Sequence, residues 1–183
     1  MKAYTRELLR AKLLELTKLQ REHDQTGAYA ELDAFLEELK DAFGRLRSPV
    51  SAIVANVQSE IQTCIEGKEI DQMKATASSR KKRKAGISAA LVLLNESMQQ
   101  ELAQLDAVFA EMEEKLAQTM AAASSVQPFP ARTGNRETWY AEIWQQMEAG
   151  PNTKAMTLYL KTALVKSDRN HLLAELLDRL MSE

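Results

Sequence analysis

The spacing of apolar residues predicts helices along most of the chain. Leu9, Leu13, Leu16 and Leu19 share one face of a helix expected from about Thr5 to Asp24, and Leu8 and Leu14 widen that stripe enough to predict its burial. Gly27 punctuates the run. Tyr29, Leu32, Leu36, Leu39, Phe43 and Leu46 then advance in alternating steps of 3 and 4, the heptad spacing that keeps a stripe facing a partner helix. This seam is too short for a long coiled coil and fits a bundle. Ser48-Pro49 reads as a cap followed by proline in the first turn, where the missing amide donor does no harm. Val50, Ile53, Val54, Val57, Ile61 and Cys64 form the next apolar face. Gly67, in the polar patch 66–69, ends or weakens that helix, and Ile70, Met73 and Ala77 suggest that it resumes.

Residues 78–86, SSRKKRKAG, read as the chain reversal. From Ile87 to Met120 an apolar residue recurs at a mean step of about 3.67, close to the 11-residue repeat and expected of a nearly straight helix. At 1.5 Å per residue, a helix over 87–123 spans roughly 55 Å. The pattern then stops. Residues 124–136, SSVQPFPARTGNR, have no periodicity and read as a linker. Three short helices follow. The first carries Trp139, Tyr140, Ile143, Trp144 and Met147; the second carries Met156, Leu158, Tyr159, Leu160, Ala163 and Leu164. The third, capped by Ser167 or Asp168, carries Leu172, Leu173, Leu176, Leu177 and Leu180. A unit of this size seldom stabilises itself, so it is expected to dock on the bundle or on another chain. The expected fold is all-α: an elongated up-down bundle of about four helices over 1–123, a linker over 124–136, and a small three-helix C-terminal appendage over 137–183.

Composition supports that class. The 183 residues include only 6 Gly, 4 Pro, 4 Phe, 4 Tyr and 2 Trp, beside 45% hydrophobic and 27% charged residues. The single cysteine excludes an internal disulfide framework. With two histidines it falls short of a standard four-ligand zinc site unless carboxylates join. Arg6, Glu7, Arg10 and Lys12 interrupt the N-terminal leucines, so no secretory signal is expected. The longest apolar run, Ile87 to Leu94, is far short of a membrane span, and a cytoplasmic location is the expectation.

The net charge of −2 is unevenly spread. Residues 48–86 carry +3, mostly in Arg80, Lys81, Lys82, Arg83 and Lys84, whereas 87–123 carry −5. Five consecutive cations suit a nucleic-acid backbone, an anionic membrane or an acidic protein, although a solvated loop is the commoner role of such a run. No aromatic residue for base stacking lies within twenty positions of them. His171, Glu175 and Asp178 share one helix face and are the best candidates for a metal or a proton shuttle; His23 sits at a helix end. Glu-x-x-His, HExxH, GxSxG and a Gly-rich phosphate loop are absent from the sequence. Met98, Met112 and Met120 suit core filling better than an adaptable binding groove. Trp139 and Trp144, five residues apart, suit interface anchors or internal docking.

Amphipathic helices without a catalytic constellation lead to a non-catalytic protein–protein interaction protein, an adaptor, assembly factor or secretion-type chaperone, expected to self-associate. It needs no cofactor and no metal. Its candidate partner contacts are Trp139, Trp144 and Arg80 to Lys84. The alternative is a nucleic-acid-associated factor using the basic turn 80–84.

Overall fold

A computed structural model of the chain describes residues 2–27, 29–66, 79–132 and 134–180, with side chains at all of these except 79, 80 and 180. The described residues form helices and no strand: α1 (Lys2–Thr26), α2 (Ala30–Arg45), α3 (Val50–Ile65), α4 (Ser79–Val126), α5 (Arg136–Ala149), α6 (Lys154–Ala163) and α7 (Lys166–Leu180). The all-α architecture is the one the apolar periodicity predicts. Gly67 and the expected helical resumption at Ile70, Met73 and Ala77 lie outside the described residues. The chain forms two compact units, Tyr4–Gln104 and Met1–Ala3 with Leu105–Glu183, so the division falls inside α4 and not at the 124–136 segment.

In the Tyr4–Gln104 unit, α2 and α3 pair as an antiparallel hairpin. Gln58 Nε2 donates to Glu37 Oε1 at 2.8 Å and Ser51 Oγ donates to the Lys40 carbonyl at 3.1 Å, which fixes their register. The heptad seam of α2 is buried at Leu32, Leu36, Leu39 and Phe43, as is the α3 face at Val50, Val54, Val57 and Ile61. Between the helices, Ser48 N donates to Phe43 O and Arg47 N to Gly44 O, both at 3.0 Å. These two bonds define a Schellman ending, with Arg47 in the left-handed position at φ 54°. Ser48 then serves the next helix, its Oγ accepting from Val50 N at 3.3 Å. Lys12 links α1 to α2 by donating to Glu15 and Glu38, both at 2.8 Å, while its Nζ sits 5.3 Å from the Phe35 ring centre. Partial burial works against the charge on Lys12, but the two carboxylates raise its pKa above the usual lysine value. Leu14 departs from the expected stripe. It is 77% exposed, because a helix face wide enough to include both Leu13 and Leu14 exceeds what the neighbouring helices cover.

In the other unit, Phe109, Met112, Leu116 and Met120 from α4 form one core with Trp139, Ile143, Trp144 and Met147 from α5, Leu160 from α6 and Leu172, Leu173 and Leu177 from α7. The three C-terminal helices thus dock within their own chain, on the C-terminal part of α4. The stripe that predicts α4 is buried along its length, from Ile87 and Leu91 to Leu116 and Met120, with Leu102 half-buried.

Two boundaries differ from the sequence expectation. Residues 79–86 are helical, so the basic run opens α4 instead of forming a turn. Lysine, arginine and alanine are strong helix formers, and the single Gly86 weakens but does not break such a run. At the other end α4 continues to Val126, with Ser124 and Ser125 hydroxyls donating back to the carbonyls of Ala121 and Ala122. The described residues of the 127–135 connection, 127–132 and 134–135, are non-helical.

Candidate interaction surface

The basic run and the apolar run that follows it lie on one helix of the Tyr4–Gln104 unit. Ile87, Leu91, Leu94 and Met98 turn inward and are at most 2% exposed. Six consecutive apolar residues, 89–94, cannot fit on one side of a helix with 3.6 residues per turn. The surplus, Val92 and Leu93, is 41% and 52% exposed on the opposite side. Ala85 and Ala89, also exposed, precede Val92 in steps of 4 and 3, and Ala103 lies three turns beyond it. Exposed Glu96, Gln99 and Gln100 separate Ala103 from the rest, so the apolar part of the outer face is the short patch of Ala85, Ala89, Val92 and Leu93, small enough in profile for another helix to approach closely. The length of the run carries this signal in the sequence. Among the described residues no helix is long and apolar enough to cross a membrane.

The cations at the start of this face are not equivalent. Lys84 Nζ donates to the Asp24 carbonyl near the end of α1, and Ser88 Oγ donates to Asp24 Oδ1 at 2.6 Å. Lys84 thus serves the fold. Lys81, Lys82 and Arg83 make no ion pair with any described residue, and Lys81 and Arg83 are exposed. The side chain of Arg80 lies outside the described residues.

Trp139 and Trp144 occupy the core of their unit, at 7% and 4% exposure. Trp139 Nε1 donates to the Pro130 carbonyl at 2.7 Å and holds the 127–135 connection against α5. Trp144 Nε1 has no hydrogen-bond partner among the described residues, and the Arg169 guanidinium lies 5.7 Å from its ring centre. Both indoles are packed into the core of their own unit.

His171 Nε2 lies 3.4 Å from Glu175 Oε1, with both side chains partly exposed, while Asp178 is exposed. Among the described residues no three His, Cys, Asp or Glu side chains gather as a metal site. His23 is buried in the last turn of α1. Burial pushes the Cys64 thiol pKa up, and the nearby Glu60 carboxylate adds to the rise. Met98, Met112 and Met120 fill the core. Compared with known proteins, the chain matches no family model, no curated protein and no solved structure.

Proposed function

We propose that the chain is a non-catalytic helical protein–protein interaction protein, of the adaptor, assembly-factor or secretion-chaperone kind, and that it self-associates through the outer face of α4. The observation that carries this reading is the adjacent exposure of Val92 and Leu93 on a face lined by Ala85 and Ala89. A second helix laid on this patch removes two branched side chains from water, and the alanines let the backbones approach. Lys81, Lys82 and Arg83 at the end of the patch orient the approach of an acidic surface.

Light scattering after size exclusion tests the reading. The expected mass is a discrete multiple of 20.5 kDa. The double variant Val92→Glu, Leu93→Glu is expected to run as a monomer with unchanged helix content. A wild-type monomer overturns self-association, and an oligomer indifferent to the double variant overturns the assigned face.

The unpaired state of Lys81, Lys82 and Arg83 among the described residues favours one rival, a nucleic-acid-associated factor. That reading requires an absorbance signature of bound nucleic acid that disappears in high salt. It also requires the signature to vanish when the three cations become glutamine.

A further inference from the structure

A cleft of about 560 Å3 opens between the last turns of α4, the 127–135 connection, α5 and the turn after α5. Its volume lies within the roughly 300–1,000 Å3 typical of ligand sites. The cleft belongs wholly to the unit that contains α5 to α7.

The walls are fixed by bonds already described in part. Trp139 Nε1 ties down Pro130, and Gln146 Nε2 donates to the Gln127 carbonyl at 2.6 Å. The far end is closed by the turn 150–153, where Thr153 Oγ1 donates to the Met147 carbonyl. A Cβ at Gly150 would come within 2.5 Å of that hydroxyl oxygen, so glycine there keeps the turn closed. Such a cleft is built before any ligand arrives and loses little freedom on binding.

Its lining combines small apolar surface with exposed polar groups. Ala122, Ala149 and the 80% exposed Val126 supply the apolar part. Gln145 and Asn152 are exposed on the cleft wall, and each amide offers the donor and acceptor that match a peptide group. Glu142 is the one acidic or basic side chain of the described lining, and it stands exposed at the cleft without an ion-pair partner among the described residues. A lone carboxylate beside small apolar surface selects a cation carried on an apolar stem, and repels phosphate or carboxylate ligands.

We infer that this cleft binds a peptide segment of a partner protein that presents one lysine or arginine among small apolar residues. Glu142 receives the cation, Gln145 and Asn152 pair with the peptide backbone, and Val126 with the alanines takes the neighbouring side chains. This site is separate from the α4 face, and its failure leaves the proposed self-association standing.

The test uses the full chain, immobilised, and two end-blocked hexapeptide pools of Ala, Val, Pro and Leu. One pool carries a fixed lysine and the other norleucine in its place. Retention of the lysine pool is expected to exceed that of the norleucine pool about threefold to fivefold, the size of one solvent-exposed ion pair. Glu142→Gln is expected to erase that preference, and Ala149→Trp, which fills the cleft, to abolish retention of both pools. Circular dichroism of both variants checks that the helices persist. Equal retention of the two pools, no retention of either, or a preference that survives Glu142→Gln overturns the inference. So does competition by n-butylammonium as effective as that by the lysine pool, because the site then reads an amine and not a peptide.

Discussion

Asp168 accepts a hydrogen bond from the main-chain amide of Ala3 at 3.2 Å, across 165 positions of sequence, and a second from Lys2 at 3.0 Å. The first turn of α1 has no acidic residue of its own, so α7 supplies the acceptors that its first amides need. The carboxylate is 2% exposed, and its removal leaves two amide donors without these acceptors. Asp168→Ala is therefore expected to lower unfolding stability by about 2 kcal/mol. Asp168→Asn should retain part of this, because its amide oxygen still accepts. Urea unfolding of the three proteins decides the matter, and an alanine variant within about 0.5 kcal/mol of wild type contradicts the capping role.

Two helix ends in the Tyr4–Gln104 unit solve the same problem with different residues. Gly27 ends α1 at φ 73° and donates to His23 O at 2.7 Å, whereas Arg47 ends α2 at φ 54° despite its side chain. Arg47→Gly is expected to stabilise the protein by up to about 1 kcal/mol, by relieving the left-handed strain. Gly27→Ala is expected to destabilise by about the same amount. Nothing lies within 4 Å of a Cβ at Gly27, so the loss is one of backbone conformation and not of crowding. Paired thermal melts with opposite shifts confirm the account; shifts of the same sign refute it.

The α2, α3 and α4 stripes were readable because each buried residue is predicted by a neighbour three or four positions away. Leu36, Val54 and Leu94 are cases where that spacing alone identifies the core. The start of α4 was not readable, since Arg80 to Lys84 have no apolar partner with which to mark a period, and composition alone suggested a turn. Leu14 failed for the opposite reason: hydrophobicity marks what can be buried, not whether a neighbour is present to bury it. α7 begins at Lys166, so Ser167 and Asp168 lie in its first turn, and no local pattern tells that Asp168 also accepts from the start of α1. The cleft beside Glu142 depends on the path of the 127–135 connection, which no local pattern encodes.

The two tryptophans make different demands on the core, and substitution should separate them. Trp144→Ala removes a large buried side chain and is expected to lower stability by about 3–5 kcal/mol. Trp144→Phe should lose much less, since the indole N–H it removes has no partner among the described residues. Trp139→Phe should be the costlier phenylalanine change, because it leaves the Pro130 carbonyl without its donor and frees the connection it holds. Equal losses for the two phenylalanine variants in denaturant unfolding would count against the hydrogen bond to Pro130 as an anchor.

The ion pair between Glu148 of α5 and Lys161 of α6 gives the unit a dependence on pH whose direction is fixed. The hydrogen bond from Lys161 holds the Glu148 carboxyl below the usual carboxylate range, and the charges of Lys154 and Arg169 act the same way. Because the folded pKa is depressed, the pair adds stability in full above the unfolded glutamate value of about 4.3. That contribution declines as the pH falls through the lower folded value, where Glu148 takes up its proton. Glu148→Gln removes this dependence. Its melting temperature is expected to lie below that of wild type at pH 7, and the gap to close as the pH approaches 3. Both partners are partly open to solvent, so added salt should narrow the gap at pH 7. A gap that stays constant from pH 7 to pH 3 would assign the loss to packing and remove the ion pair from the account.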